Sequence, residues 1–199
     1  TVAVQKDSRF PLASLRLYVH AGSAYETPDI AGISHQLEHM VFKGTESRPK
    51  GAIATDIERA GGYLNAATSF DYTMYLTDMP SDQWKLGMDI LKDMAFHPSL
   101  DPEELESEKE VVLAELQRGE DTPSRRLFNR MLSSTLAGTP YERPIIGFPD
   151  TIRAYTVAKM RAYIDRLYQP QSMLLLVVGD VDPGEVLKEA ERLFGSIPN

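Results

Sequence analysis

The sequence predicts an α+β fold in which several helices pack against a mostly antiparallel or mixed β-sheet. Strand-like and helix-like patterns interleave irregularly along the 199 residues, and connections short enough for hairpins are scarce. A hydrophobic content of 42% is sufficient to bury a core in a chain of this length. We therefore expect one globular unit, or at most two small ones.

Alternation of apolar and polar residues predicts the strands. The clearest case is LRLYVH, in which Leu15, Leu17 and Val19 share one face. The predicted strands cover residues 2–4, 14–21, 69–77 and 173–178. Gly61 and Gly62 are expected to turn the chain ahead of a strand region that reads LNAATSFDYTMYL.

Apolar residues that recur every three to four positions predict more helices than strands. The predicted helices cover residues 30–42, 51–60, 82–96, 102–118, 123–137, 156–167 and 183–194. Asp101-Pro102 and Asp182-Pro183 each supply a helix N-cap followed by proline at the first helical position. Three prolines predict a longer loop over residues 138–150.

The net charge of the chain is -8, and no window concentrates lysine and arginine. A surface that attracts nucleic-acid phosphates or anionic lipids is therefore not expected. The densest basic group follows an acidic stretch, and we interpret it as a solvated helix face. It consists of Arg118, Arg125, Arg126 and Arg130.

The chain has no cysteine, which removes disulfides, thiolate nucleophiles and cysteine-bearing zinc sites. Any metal must therefore be held by His, Asp or Glu. The longest apolar run, MLLLVV, has the length of a strand, so no membrane span is predicted. The chain begins at Thr1 in the strand-like TVAVQKD, which suggests a start partway through a larger product. We expect a soluble chain, and the sequence leaves cytoplasm and periplasm both open.

The stretch GISHQLEHMVFKGT carries two histidines and a carboxylate at helical spacing. With His35 at 0° on a helix, Glu38 and His39 fall within one arc of about 100°. Apolar residues occupy the opposite side of the same helix, and this side is expected to pack against the sheet. They are Ile33, Leu37, Met40 and Val41.

This spacing is typical of a zinc site. Zinc binds neutral imidazole readily, and histidines at i and i+4 offer two nitrogens without bending the backbone. Glu38 would then lie beside the metal, where it can take a proton from activated water and pass it to a leaving amine. The alternative is a helix that is merely polar on one side, but the full pattern rarely arises by chance in a chain with four histidines.

A catalytic zinc site needs a third protein ligand. In the helix predicted over 102–118, Glu108 and Glu115 lie seven residues apart, along one line that borders an apolar stripe. An ionised carboxylate there is costly unless a cation or hydrogen bonds compensate it. Helical geometry alone does not choose between the two glutamates.

The segments HQLEHMVFKGT and ERAGGYLNAATSFDYTMYL together resemble the pitrilysin/insulinase-type zinc metallopeptidases, which are inverzincins of the M16 family. The resemblance extends over LRLYVHAGSAYE, SEKEVVLAELQRGEDTP, GTPYERPIIGFPDTI and the terminal LLLVVGDVDPGEVLKEAERLFGSIP. It implies a zinc-dependent endopeptidase with one Zn²⁺ per chain. It also implies that the fold is one half of a two-half clamshell peptidase.

The resemblance assigns roles to individual residues of this sequence. His35, His39 and Glu115 resemble the zinc ligands, and Glu38 resembles the general base. Glu108 resembles the carboxylate that supports the metal site from behind a ligand. The resemblance therefore chooses Glu115 as the third ligand, which the spacing could not do.

Asn65-Ala66 resembles the segment that holds the substrate beside the metal. An extended peptide substrate would add to the sheet edge there, through main-chain hydrogen bonds. The chain ends at FGSIPN, where the first half of such enzymes ends, so residues 1–199 are expected to be a single N-terminal zinc-bearing domain. A homologous C-terminal half or partner subunit would supply an Arg and a Tyr, and the isolated half is expected to be weakly active or inactive.

Two other functions stay open at this point. One is a non-catalytic peptide-binding or scaffold domain of the same fold, against which the intact set of metal residues argues. The other is a metal-storing or regulatory protein, which would not need Glu38. His20 and His97 have no partner at ligand spacing, and we interpret both as structural.

Overall fold

The computed structural model describes residues 1–198, and within that range one sheet of five strands forms the centre of the molecule. The strands are β1 (Val2–Lys6), β2 (Leu12–Val19), β3 (Tyr63–Thr68), β4 (Thr73–Pro80) and β5 (Met173–Gly179). Their spatial order is β1-β5-β2-β4-β3. β1 and β5 run parallel, whereas the other neighbours are antiparallel, so the predicted mixed sheet is confirmed.

Eight α-helices accompany the sheet within residues 1–198. They are α1 (Ile33–Met40), α2 (Ala52–Arg59), α3 (Trp84–Phe96), α4 (Pro102–Glu120), α5 (Pro123–Thr135), α6 (Pro149–Arg153), α7 (Val157–Leu167) and α8 (Pro183–Phe194). Asp101 and Asp182 cap α4 and α8 by accepting backbone N–H bonds, as the sequence predicts. None of these helices is long and apolar enough to cross a lipid bilayer.

The core lies between one face of the sheet and the helices. Leu15, Leu17 and Val19 of β2 are completely buried, and alternate residues of β4 and β5 lie on the same buried face. α3 packs on β2 and β4, and α8 packs on β1 and α3. The other face of the sheet is only half-buried, which explains the strict alternation along β2.

Two predictions of secondary structure, the strand over residues 69–77 and the loop over residues 138–150, are wrong. The strand predicted over 69–77 spans a tight hairpin turn, because β3 ends at Thr68 and β4 begins at Thr73. The alanines and asparagine of β3 carry little strand propensity, and its pairing with β4 supplies what the local pattern lacks. In the second case, α6 begins at Pro149, inside the loop predicted over 138–150.

Packing of α1 between β3 and α4 positions the candidate site. The chain enters α1 at Gly32, whose φ of 95° lies in the left-handed region that favours glycine. Gly147 of the loop before α6 also has a positive φ of 82° and lies directly against the backbone of Ala31. Direct backbone contact therefore holds the loop against the start of α1.

We predict that Gly147→Ala destabilises the protein more than the matched change Gly138→Ala. Both glycines have φ of 82°, but a Cβ at Gly138 meets no atom, whereas at Gly147 it collides with Ala31. Gly138→Ala should lower the free energy of unfolding by about 1–2 kcal/mol. Gly147→Ala should lower it by about 2–5 kcal/mol, because overpacking adds to the strain. Urea unfolding followed by circular dichroism measures the difference. Equal losses of unfolding free energy in the two variants would contradict the close contact between Gly147 and Ala31.

Candidate metal centre

The start of α1 is held by a buried carboxylate. Glu26 accepts hydrogen bonds from the backbone N–H of Gly32 at 2.6 Å and of Ser34 at 2.8 Å, and from the Ser34 hydroxyl at 2.6 Å. A negative charge at a helix N-terminus is favourable because the free N–H groups point at it. Burial raises the pKa of Glu26, although these hydrogen bonds act in the opposite direction. Glu26 thus fixes the origin of the helix that carries the motif.

Two helices bring three donor groups together. The Oε2 atom of Glu115 on α4 lies 3.8 Å from His35 Nε2 and 3.6 Å from His39 Nε2, both on α1. One ligand atom from each of the three residues lies within 4.8 Å of the others. A tetrahedral zinc with bonds of about 2.1 Å requires ligand atoms about 3.4 Å apart, so the donor set and its spacing fit this ion.

The protonation of the three residues depends on their surroundings. Burial lowers the pKa of His35, and the neighbouring His39 lowers it further, which favours the neutral imidazole that metals bind. Burial also acts to lower the pKa of His39, but the neighbouring carboxylates of Glu115 and Glu108 outweigh it and raise the pKa. The pKa of Glu115 is lowered by the neighbouring His39. A metal ion must therefore displace a proton from His39 at low pH.

Glu108 contacts the same histidine from the opposite side of the ring. Its Oε2 lies 3.1 Å from His39 Nδ1, and its Oε1 lies 2.5 Å from the Lys43 ammonium. Lys43 thus compensates a carboxylate that is almost fully buried. A carboxylate on Nδ1 fixes the ring orientation and leaves Nε2 free to bind a metal. Among residues 1–198, His35 Nδ1 has no such partner, so packing alone orients that ring.

Glu38 points to the same region from the motif helix. The Thr68 hydroxyl at the end of β3 donates a hydrogen bond to Glu38 Oε2 at 2.6 Å. Thr68 and His35 also line the same cavity. The carboxylate is therefore held at the end of β3, on the helix that carries His35 and His39.

The outer edge of β3 has free backbone groups beside the site. β3 is the last strand of the sheet on this side, and Ser69 N–H bonds to Tyr72 C=O across the turn. Hydrogen-bonded pairs alternate along an antiparallel ladder, so the Ala66 N–H points away from β4. It donates instead to the Asn65 side-chain oxygen at 2.9 Å. An exposed edge of this kind accepts an additional strand readily.

A cavity of about 1330 Å³ opens next to the donor groups. His35, Thr68 and Glu115 lie at one end, and α5 and the loop that precedes α6 form the walls. Phe128 and Phe148 are the largest apolar side chains in these walls, and both are about half exposed. The cavity therefore offers apolar surface within reach of the donor cluster.

The structure brings together most of the residues that the sequence selects. His35, His39 and Glu115 form one cluster, Glu38 on the same helix is bonded to Thr68, and Glu108 contacts His39 Nδ1. Asn65 and Ala66 lie on the free edge of β3, and their role stays a prediction. The basic residues of α5 are exposed, as expected, although they also line the cavity.

Two residues were not selected from the sequence, namely Thr68 and Lys43. Both lie inside quoted segments, NAATS and VFKGT, but their partners are distant in sequence or on another helix. The available signal was only a polar residue in one segment and a lysine three residues after the motif helix in the other. Only the packing of β3 and α4 against α1 shows which groups they contact.

Family comparisons cover almost the whole chain. Residues 1–148 match the sequence model of Insulinase (Peptidase family M16). Residues 154–199 match that of the Peptidase M16 inactive domain.

Individual relatives agree with the family match. The chain is 34% identical over 183 residues to an uncharacterized zinc protease, YmxG, of Bacillus subtilis, covering 92% of this chain and 44% of the relative. It is 31% identical to the mitochondrial-processing peptidase subunit beta of Blastocladiella emersonii, covering 100% of this chain and 43% of the relative. The crystal structure of a protease from Helicobacter pylori superposes with a TM-score of 0.91 at 29% identity, covering 98% and 48% of the two chains. The chain thus spans less than half the length of these relatives.

We predict that Glu115→Gln abolishes zinc binding and that Glu108→Gln only weakens it. The first change replaces an anionic donor beside both Nε2 atoms by a neutral amide. The second leaves the donors in place but loosens the His39 ring, which typically costs about 10–100-fold in metal affinity. Elemental analysis after dialysis and competition with a chelator measure both effects, and circular dichroism controls for folding. Unchanged zinc in Glu115→Gln would refute the ligand set, and zinc loss in Glu108→Gln alone would mean that the two roles are exchanged.

Proposed function

Because the chain belongs to the insulinase family, peptidase family M16, we propose that it is the zinc-bearing domain of an endopeptidase that hydrolyses extended peptides. The observation that carries the proposal is the cluster of His35, His39 and Glu115, with the carboxylate of Glu38 on the same helix face. A purely structural metal site would be closed by a fourth protein ligand. This cluster instead opens into a large cavity.

His35, His39 and Glu115 are proposed to hold one zinc ion. When bound, zinc supplies activation of water and polarisation of the peptide carbonyl. Glu108, itself paired with Lys43, keeps the Nε2 atom of His39 directed at the ligand cluster. Burial of Glu108 strengthens this contact, because the surrounding dielectric is low.

Glu38 is proposed to act as the general base. One carboxylate oxygen of Glu38 bonds to Thr68, and the other is available to accept a proton from the attacking water. The same oxygen can later return that proton to the departing amine nitrogen, which makes the amine a better leaving group. Glu38 lies one residue before His39, so the proton is held close to the donor cluster throughout.

The peptide is proposed to bind as an added strand along β3. Ala66 presents its N–H at the free edge, and Asn65 offers an amide side chain that can turn from it to the peptide backbone. The cavity wall with Phe128 and Phe148 then receives an apolar side chain of the peptide. In this arrangement, main-chain hydrogen bonds provide the affinity for the peptide. The cavity provides a preference for particular peptide side chains.

Residues 1–199 are proposed to be a single N-terminal domain that works with a homologous C-terminal half or a partner subunit. Support comes from the share of the relatives that the chain covers, which is 44% and 43% in the two compared sequences. The second half would close the cavity from the opposite side and supply further donors to the reacting carbonyl.

A second candidate is a non-catalytic peptide-binding or scaffold domain. Its support is the match of residues 154–199 to the M16 inactive domain. All proposed metal residues lie outside that segment, within residues 1–148. We favour the peptidase because a scaffold requires neither the three donors nor Glu38.

We predict that Glu38→Gln keeps zinc but lowers peptide hydrolysis by about 10²–10⁴-fold in the two-half enzyme, because an amide cannot accept the proton. A quenched fluorescent peptide measures the rate, and elemental analysis confirms equal zinc loading. Retained hydrolysis at equal zinc loading would show that Glu38 is structural and that another group accepts the proton.

We predict that residues 1–199 alone bind zinc but hydrolyse peptides very poorly, and that addition of the second half restores turnover. Loss of one donor to an anionic intermediate typically costs about 10²–10³-fold in rate. The same fluorescent peptide is incubated with this domain alone and with both halves, at matched zinc occupancy. Equal rates in the two samples would show that this domain already contains a complete catalytic site.

A further inference from the structure

Thr68 occupies a position that links the free sheet edge to the motif helix. It is the last residue of β3, it is half-buried, and its hydroxyl donates to Glu38 Oε2 at 2.6 Å. Its side chain lies on the same strand face as the buried Ala66, which is the face that packs against α1. Among residues 1–198, no other side chain is hydrogen-bonded to the Glu38 carboxylate.

The surroundings of Glu38 explain why one donor matters. A glutamate side chain has three rotatable bonds and samples many rotamers when nothing holds it. Lys43, the nearby cation on the chain that follows α1, is already paired with Glu108. The buried hydroxyls of Tyr75 and Tyr168 bond to each other at 2.8 Å, and among residues 1–198 neither is hydrogen-bonded to Glu38. Thr68 is thus the group that restrains Glu38.

The hydrogen bond from Thr68 leaves the Glu38 carboxylate able to act as a general base. A hydroxyl that donates to Oε2 leaves both lone pairs of Oε1 free to accept a proton. Thr68 and the proposed metal ligand His35 line the same cavity, so the end of β3 that holds Glu38 Oε2 lies at the wall that also carries part of the donor cluster. Without the hydroxyl, the carboxylate could turn away from the position in which it accepts a proton.

We propose that Thr68 is a positioning residue that orients the Glu38 carboxylate toward the reacting water. The proposal rests on the proposed peptidase function. It adds a consequence for binding: β3 offers its backbone edge at Ala66 and holds the base at Thr68, two residues further along. A peptide that docks on this strand is therefore aligned on the same rigid element as the base.

The test compares Thr68→Val, Thr68→Ser and the matched control Thr77→Val. Valine has the shape of threonine without the hydroxyl, and serine restores the hydroxyl. Thr77 on β4 is also buried, and its hydroxyl donates to the backbone oxygen of Tyr63, far from the carboxylate. The control thus loses one buried hydrogen bond without touching Glu38. Each variant is assayed for zinc content, kcat and KM in the two-half enzyme, and each zinc-loaded domain is crystallised.

Thr68→Val should lower kcat by about 10–100-fold, as is typical when a supporting partner is removed. Its KM should stay within about twofold and its zinc content should not change, because ground-state binding is untouched. Thr68→Ser should recover most of the lost kcat, and Thr77→Val should keep the kcat of the parent protein. In the Thr68→Val crystals, Glu38 should leave its parent rotamer.

Two results would overturn the proposal. One is an unchanged kcat in Thr68→Val. The other is a loss of zinc, or a rise in KM as large as the fall in kcat, either of which would make Thr68 a structural residue. If the parent two-half enzyme cleaves no peptide at full zinc loading, the proposed function itself is wrong. In that case the crystals still test the role of Thr68. An unchanged Glu38 rotamer in Thr68→Val would show that the Thr68 hydroxyl does not hold the carboxylate in place.

Discussion

The burial of one face of α1 fixes the direction of its histidines. Ile33, Leu37 and Met40 are completely buried, and α1 packs on β3 on one side and on α4 on the other. A helix of eight residues has little stability of its own, so this packing holds it in place. The polar face can then point only toward Glu115 and the cavity. Every proposed role in the site depends on this orientation.

Buried charges around α1 are each compensated by a specific partner. Glu26 caps the start of the helix, and Glu108 is held between His39 and Lys43 near its end. An uncompensated carboxylate at either position would cost several kcal/mol or take up a proton. The arrangement therefore restricts α1 at both ends. This restriction is what a metal site needs, because ligand atoms must stay within a few tenths of an ångström of their positions.

Much of the fold follows from local pattern. The alternation of Leu15, Leu17 and Val19 gives β2 its buried face, and the proline signals give α4 and α8 their starts. The hairpin from β3 to β4 is different. Its first strand reads YLNAAT, which lacks a clear alternation, and the strand exists because its backbone pairs with β4. The sequence therefore marks a strand region here without showing where β3 ends and the hairpin turn begins.

The sequence by itself determined the family resemblance and the common face of His35, Glu38 and His39, because helical periodicity acts over a few residues. Helical spacing left the choice between Glu108 and Glu115 open, the resemblance favoured Glu115, and the tertiary structure places Glu115 beside both Nε2 atoms. Glu108 and Glu115 share one line on their helix, and only the docking of α4 across α1 places Glu115 at the open side and Glu108 behind His39. The same holds for Thr68, whose hydroxyl reaches Glu38 because β3 packs against α1. Contacts between elements distant in sequence depend on how whole faces pack, and periodicity within one element carries no information about that.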